Sequence, residues 1–261
     1  MTQEAPLKLC IINPNSTVRM TETIVKAARS VAGPGVEIIG RTAHGAPASI
    51  EGHRDEVMCA PYLLAEVQKA EAEGADAIVV ACFDDPAIGA CRELATGPVI
   101  GICEAGIKAA SMIATSFTVI TTLSRTVPLL EELVHRYGLS TQCRSVRAAD
   151  VAVLALEAPG SNARALIQAE ITRAIEIDKA EAIVLGCAGM ADLAAELSRE
   201  NGLPVIDGVA AATKFAEALV GAGLRTSKIG AYAAPLAKQP APSNPNTRQG
   251  DVNERDQAFI G

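Results

Sequence analysis

The chain has no tryptophan, and only four phenylalanines and three tyrosines among 261 residues. Its core must therefore be built from small and branched side chains, and abundant alanine and glycine suit helices packed closely on a sheet. Histidine is scarce too: His44, His53 and His135 are the whole supply, and none sits in a turn that carries a strand-ending cysteine. That disfavours cysteine–histidine hydrolysis, and His53 and His135 read as solvated helix faces. No Cys-x-x-Cys pair or histidine cluster offers a zinc site, so no metal is expected. No Gly-x-Gly-x-x-Gly follows a strand, which argues against a dinucleotide cofactor. No apolar run reaches the roughly 18 residues of a spanning helix, and Met1-Thr2-Gln3-Glu4 lacks the shape of a secretory signal. Positive charge is in deficit, and a net charge of −7 speaks against nucleic acid or an anionic membrane as partner. The seven cysteines form no small-scaffold disulfide framework; they read as reduced thiols, with a cytoplasmic location expected.

What is present is an alternation of apolar runs with helical stretches. Leu7 to Ile12 reads as a strand ending in Asn13-Pro14-Asn15-Ser16-Thr17, where Ser16 or Thr17 is placed to cap a helix with Met20, Ile24, Ala27 and Ala28 inside. Val36 to Gly40 is a second strand, followed by a loop from Ala43 to Gly52 too rich in glycine and proline to be regular. A helix is expected over Asp55 to Glu73, then a strand from Ala77 that delivers Cys82, a helix over Ile88 to Leu94, and a buried strand at Pro98 to Ile102. Strands alternating with helices in this way indicate parallel βαβ units.

The second half repeats the plan. Val119-Ile120-Thr121-Thr122-Leu123-Ser124 echoes Ile11 to Ser16, Ala180 to Cys187 echoes Ala75 to Cys82, and Pro204 to Gly208 echoes Pro98 to Ile102. Each of the last pair leads into a helix bearing a lysine, Lys108 or Lys214, read as solvent-facing. The fold class expected is α/β, with two similar lobes of mainly parallel sheet related by a pseudo-twofold axis. Residues 1–114 would form the first lobe, completed by 208–237, where the helix from Gly208 returns. Residues 115–207 would form the second, and 238–261, which has no apolar period, a disordered tail.

A free cysteine is in most settings a small apolar core residue. Cys10, Cys59, Cys91, Cys103 and Cys143 are read that way, because none ends a strand in a matched position. Cys82 and Cys187 do, and a pseudo-twofold axis would point both into one cleft from opposite sides. Two thiols so placed suit removal of a proton from one face of a carbon acid and its return to the other. With an unperturbed pKa of about 8.5, modest tuning makes one a thiolate base while its partner stays an acid. Backbone N–H groups just after each cysteine would meet the enolate oxygen, and the scheme needs no cofactor.

Asn13-Pro14-Asn15-Ser16, Ser49-Ile50-Glu51-Gly52, Cys82-Phe83-Asp84-Asp85-Pro86 and Leu185-Gly186-Cys187-Ala188-Gly189-Met190 together resemble the hydantoin racemase branch of the aspartate/glutamate racemase superfamily, over about residues 8 to 235. Amino-acid racemases of that fold usually carry Cys-Asn-Thr where this chain has Cys82-Phe83-Asp84, and arylmalonate decarboxylases keep only the second cysteine. Ala87 stands where the family string has glycine. The resemblance implies cofactor-independent racemisation of a small cyclic amide, with Cys82 and Cys187 as the acid/base pair. It further implies a substrate set of Asn13, Thr121 and Thr122 at the two turns, Phe83 and Ala188 through backbone N–H groups, and Ile50 as a pocket wall. Asp84 would either orient a ring nitrogen or cap its helix. The family also implies a homo-oligomer.

Three readings remain open at this point. A 5-substituted hydantoin is the first, and allantoin, itself a hydantoin with a ureido group, is its close rival. A non-catalytic binder of a cyclic amide is a different class of answer, and it has no need of paired thiols.

Overall fold

The computed structural model describes residues 6–158 and 160–237; the tail expected at 238–261 lies outside them. Among the described residues eight strands form two four-stranded parallel sheets. The first holds β1 (Leu7–Asn13), β2 (Val36–Thr42), β3 (Ala77–Val80) and β4 (Val99–Gly101) in the order β2-β1-β3-β4. The second holds β5 (Phe117–Thr121), β6 (Cys143–Ala148), β7 (Ala182–Leu185) and β8 (Val205–Asp207) in the order β6-β5-β7-β8. The two orders are the same, so the internal echo in the sequence is an echo of topology. The inner strands β3, β5 and β7 are buried along their whole length, as continuous apolar runs in a parallel sheet should be.

The helices follow the alternation: α1 (Val18–Val31), α2 (His53–Ala72), α3 (Ile88–Leu94), α4 (Ile102–Ile113), α5 (Val127–Arg136), α6 (Ala163–Arg173), α7 (Ala194–Asn201) and α8 (Gly208–Gly221). Among these, α4 and α8 join the halves. Helix α8 leaves the second sheet at β8 and packs on β1, β3 and β4 of the first, whereas α4 leaves the first at β4 and packs on β5, β7 and β8 of the second. The two helices also pack against each other. One hydrophobic core therefore runs through both halves, taking Leu9, Ile11 and Val79 from one sheet, Val119 and Val184 from the other, and Ile107 and Val209 from the helices between. Smaller clusters lie under the outer helices, around Leu63 and Val80 on one side and Ile167 and Ile183 on the other.

The helix starts show how the repeat is modified. Helix α8 is capped by Asp207, whose carboxylate accepts from the Val209 and Ala210 amides at 3.0 Å. The corresponding residue before α4 is Gly101, and the carboxylate comes instead from Asp85, which accepts from Cys103 N–H at 3.1 Å and Glu104 N–H at 2.9 Å. A Cβ at position 101 would collide with that carboxylate. At α1 the expected cap differs: Thr17 holds the capping position, but its hydroxyl donates to Ala48 O at 2.7 Å and ties down the long loop instead.

Candidate active site

Each of two inner strands stops two residues short of a cysteine. β3 ends at Val80 and the chain turns at once, the Asp85 amide donating to Cys82 O at 3.0 Å. The turn is tight enough to put Asp85 (φ 44°) and Ala87 (φ 50°) in the left-handed region before α3 begins at Ile88. Glycine adopts that conformation without cost and alanine pays roughly 1 kcal/mol, which accounts for the family's glycine at position 87. In the other half β7 ends at Leu185, and Cys187 opens a 3₁₀ turn over Ala188–Leu193 in which Met190 N–H donates to Cys187 O at 3.0 Å. Neither cysteine is in a disulfide, both are half-buried, and both line the same cavity between the carboxyl edges of the two sheets.

That cavity is narrow, with a free volume of about 30 Å³. A larger groove of about 560 Å³ lies between α4, α8 and the β4 edge, but it holds neither thiol. The narrow cavity holds both strand-end cysteines, which makes it the candidate site. Among its described lining residues there is no lysine, arginine or histidine. Burial pushes the Cys82 thiol well above its ordinary range; the neighbouring Asp84 charge and the Cys59 and Cys187 thiols push the same way, and a hydrogen bond from the Asp84 amide pulls back. Asp84 itself is raised to about 7, first by burial and then by Glu56, Asp85 and Asp55. Three exposed histidines stand apart from the cavity.

Most of the residues singled out from sequence meet here. Phe83, Asp84, Ile50, Thr121, Thr122 and Ala188 all line the cavity with the two cysteines. Thr121 shares its hydroxyl with Thr126 at 3.2 Å, and Thr122 beside it is buried. Asp84 caps nothing: α3 has no side-chain cap. Asn13 is not brought in. It is fully buried, and its amide donates to Asn15 Oδ1, Thr17 O and the Thr21 hydroxyl at 2.9–3.1 Å. The residue that reaches the cavity is Asn15, two positions on, whose amide rests on the Met20 sulfur at 3.1 Å. Met20, Thr126 and Val153 also line the cavity and were not singled out. Asn15 belongs to the same Asn13-Pro14-Asn15-Ser16 motif as Asn13, so its signal was present; Val153 carries no chemistry-bearing side chain and had none.

Two half-folds of the same parallel topology, meeting at a cavity lined by two strand-end cysteines, place the chain in the Asp/Glu racemase fold. The chain belongs to the Asp/Glu/Hydantoin racemase family, whose model matches residues 9–216, and it is a racemase. It is 51% identical over 231 residues to the hydantoin racemase of Rhizobium meliloti, covering 88% of this chain and 96% of that one. An allantoin racemase from Klebsiella pneumoniae has a similar structure, with a TM-score of 0.88 and 45% identity over 91% of this chain and 97% of that one. Glutamate racemase from Francisella tularensis subsp. tularensis SCHU S4 shares the fold at 16% identity, with a TM-score of 0.60 over 86% of this chain and 85% of that one. No helix among the described residues is long and apolar enough to cross a membrane.

Proposed function

We propose that the protein racemises 5-monosubstituted hydantoins at C5 without a cofactor, with Cys82 and Cys187 as the two acid/base groups. The observation that carries this is one narrow cavity lined by both strand-end thiols, each near enough for the charge of one to oppose ionisation of the other. Like charges held close cannot both form readily, and burial already holds the Cys82 thiol well above its ordinary range, so at most one of the pair ionises at a time. A two-base exchange needs that one thiolate opposite one thiol, formed as substrate enters and water leaves. The thiolate takes the C5 proton, the electron pair passes into the C4 carbonyl as an enolate, and the thiol on the other face delivers a proton to C5. The reverse reaction exchanges the roles. Backbone N–H groups at Phe83 and Ala188, with the Thr122 hydroxyl, are the donors available to the enolate oxygen. Working thiols need a reducing compartment, which favours a cytoplasmic setting.

Allantoin is the second reading, favoured by the structural likeness to an allantoin racemase. The walls incline toward an apolar substituent instead. Met20, Ile50 and Val153 line the cavity, and the nearby Glu51 carboxylate is already engaged by the Val153 amide at 3.0 Å. Polarimetry on purified protein with no added cofactor, run on L-5-substituted hydantoins and (S)-allantoin in parallel, decides between them. C5 deuterium uptake in D2O, corrected for spontaneous exchange, follows the proton itself. Cys82→Ala and Cys187→Ala should each lower racemisation by about 10³-fold or more. Full activity in either variant would sink the two-thiol mechanism, and a wild type inactive on both substrates would sink the substrate reading.

A further inference from the structure

Asp84 and Asp85 are adjacent, and both are almost wholly buried. Asp85 is fully used, accepting from two α4 amides and from the Tyr137 hydroxyl at 2.8 Å. Asp84 is not. It is 7% exposed and lines the thiol cavity, and its Oδ2 has no hydrogen-bond partner among the described residues. A buried carboxyl oxygen left without a donor carries the desolvation cost with nothing to offset it. Among the described residues no cation lines the cavity to relieve it, and Glu56, Asp55 and Asp85 add like charge around it. What the site lacks is a donor with no accompanying negative charge. A ring N–H is such a donor, and a substrate carboxylate is the opposite.

Resting on the racemase reading above, we infer that Asp84 accepts a hydrogen bond from a ring N–H of the substrate, and that this contact confines the site to uncharged cyclic amides and ureides while excluding carbon acids that bear a free carboxylate. The Asp84 amide is bonded to the Cys82 sulfur, so a ring held by the Asp84 side chain is held beside that thiol. The contact sets both what enters and how it lies.

The test uses L-5-benzylhydantoin and its N1-methyl and N3-methyl derivatives, followed by C5 deuterium uptake on the full chain. One of the two methylations should lower kcat/KM of the wild type by about 100-fold or more, because it leaves the carboxylate unpaired. In Asp84→Ala the same methylation should cost less than about 10-fold, with Asp84→Asn, which keeps a neutral acceptor, in between. The ring-opened N-carbamoyl acid with the same substituent should inhibit the wild type with a constant at least 10-fold above the KM of the ring. Tolerance of both methylations by the wild type overturns the inference without needing any variant to fold, and so does a full methylation penalty in Asp84→Ala. Equal affinity for the ring-opened acid overturns the exclusion of carboxylates. A wild type silent on unmethylated hydantoin overturns the substrate reading and this one with it, whereas activity there with methylation tolerated overturns this one alone.

Discussion

Two neighbouring aspartates show how far residue-scale chemistry depends on where a few donors lie. Burial raises both carboxyls to about 7. Asp85 is drawn back by the α4 amides and Tyr137, whereas the causes acting on Asp84 all raise it. An unfolded aspartate titrates near 3.9, so between about pH 4 and 7 the folded protein holds a proton on Asp84 that the unfolded chain has released. Stability from this group is therefore lost as pH climbs through that window and stays lost above it. Asparagine carries no such proton. Asp84→Asn should melt several degrees above the wild type at pH 8, with the gap closing toward pH 4.5; Tm measured at four or five pH values checks it. The groups facing Asp84 are Glu56, Asp55, Asp85 and Cys82, and all are retained in the variant. A gap that does not change with pH would mean that Asp84 is not buried as a strained acid. The sequence could name Asp84 as either a substrate contact or a cap, but it could not choose, because the choice depends on which donors other segments bring. The same limit explains Asn13: a strand-end asparagine looks available until α1 supplies Thr17 O and the Thr21 hydroxyl to occupy it.

At the scale of elements, the strands and the return of α8 to the first sheet were legible, and the reciprocal crossing of α4 to the second was not. β3 and β7 announce themselves as unbroken apolar runs ending in a cysteine, since a strand covered on both faces needs no polar alternation. Nothing local distinguishes α4 from a helix that folds back on its own sheet. Its path to the second sheet depends on a close crossing with α8, where Gly106 and Gly208 face each other and a Cβ on Gly208 would run into the Ile102 carbonyl oxygen. Position 208 in the sequence looks like an ordinary glycine at a strand end. Gly208→Ala should destabilise the fold by about 2–3 kcal/mol through this overpacking, read as a lower urea midpoint with an unchanged slope. Gly221→Ala, in the last turn of the same helix with open space beside it, should be neutral or slightly stabilising. Equal effects at the two positions would remove the crossing as the cause.

At the scale of the molecule, the active cavity is closed more tightly than its proposed chemistry allows. A free volume of about 30 Å³ is roughly one water's share of liquid, so a five-membered ring with a substituent enters only if a wall moves. The wall is made by both halves: Ile50 from the loop before α2 and Val153 from the segment after β6. On the first side the loop is well anchored, with Ser16 N–H on Pro47 O at 3.0 Å, Thr17 Oγ1 on Ala48 O at 2.7 Å, and Glu51 N–H on Asp55 Oδ2 at 3.1 Å. Across the gap the hydrogen bond at the wall itself is the one from Val153 N–H to Glu51 Oε1, with the Arg125 guanidinium packed over Gly52 beside it. The Val153 segment is tied back to its own half as well, with Ala149 N–H on Thr121 O at 3.0 Å and Val151 N–H on Thr122 O at 2.9 Å, so the wall should open where the Val153–Glu51 bond spans the two halves. Glu51→Ala should raise hydrogen exchange at the Val153 amide by about 10-fold while leaving the amides of Ile78, Val79 and Val80 in β3 protected. Global Tm should fall by no more than a few degrees. Removing the bond also loosens the wall that excludes water from the enolate, so kcat/KM should fall by about 10-fold, with C5 exchange still measurable because neither thiol has moved. Unchanged exchange at Val153 would show that the wall is held by packing of Ile50 against its neighbours, and that the entry path lies elsewhere.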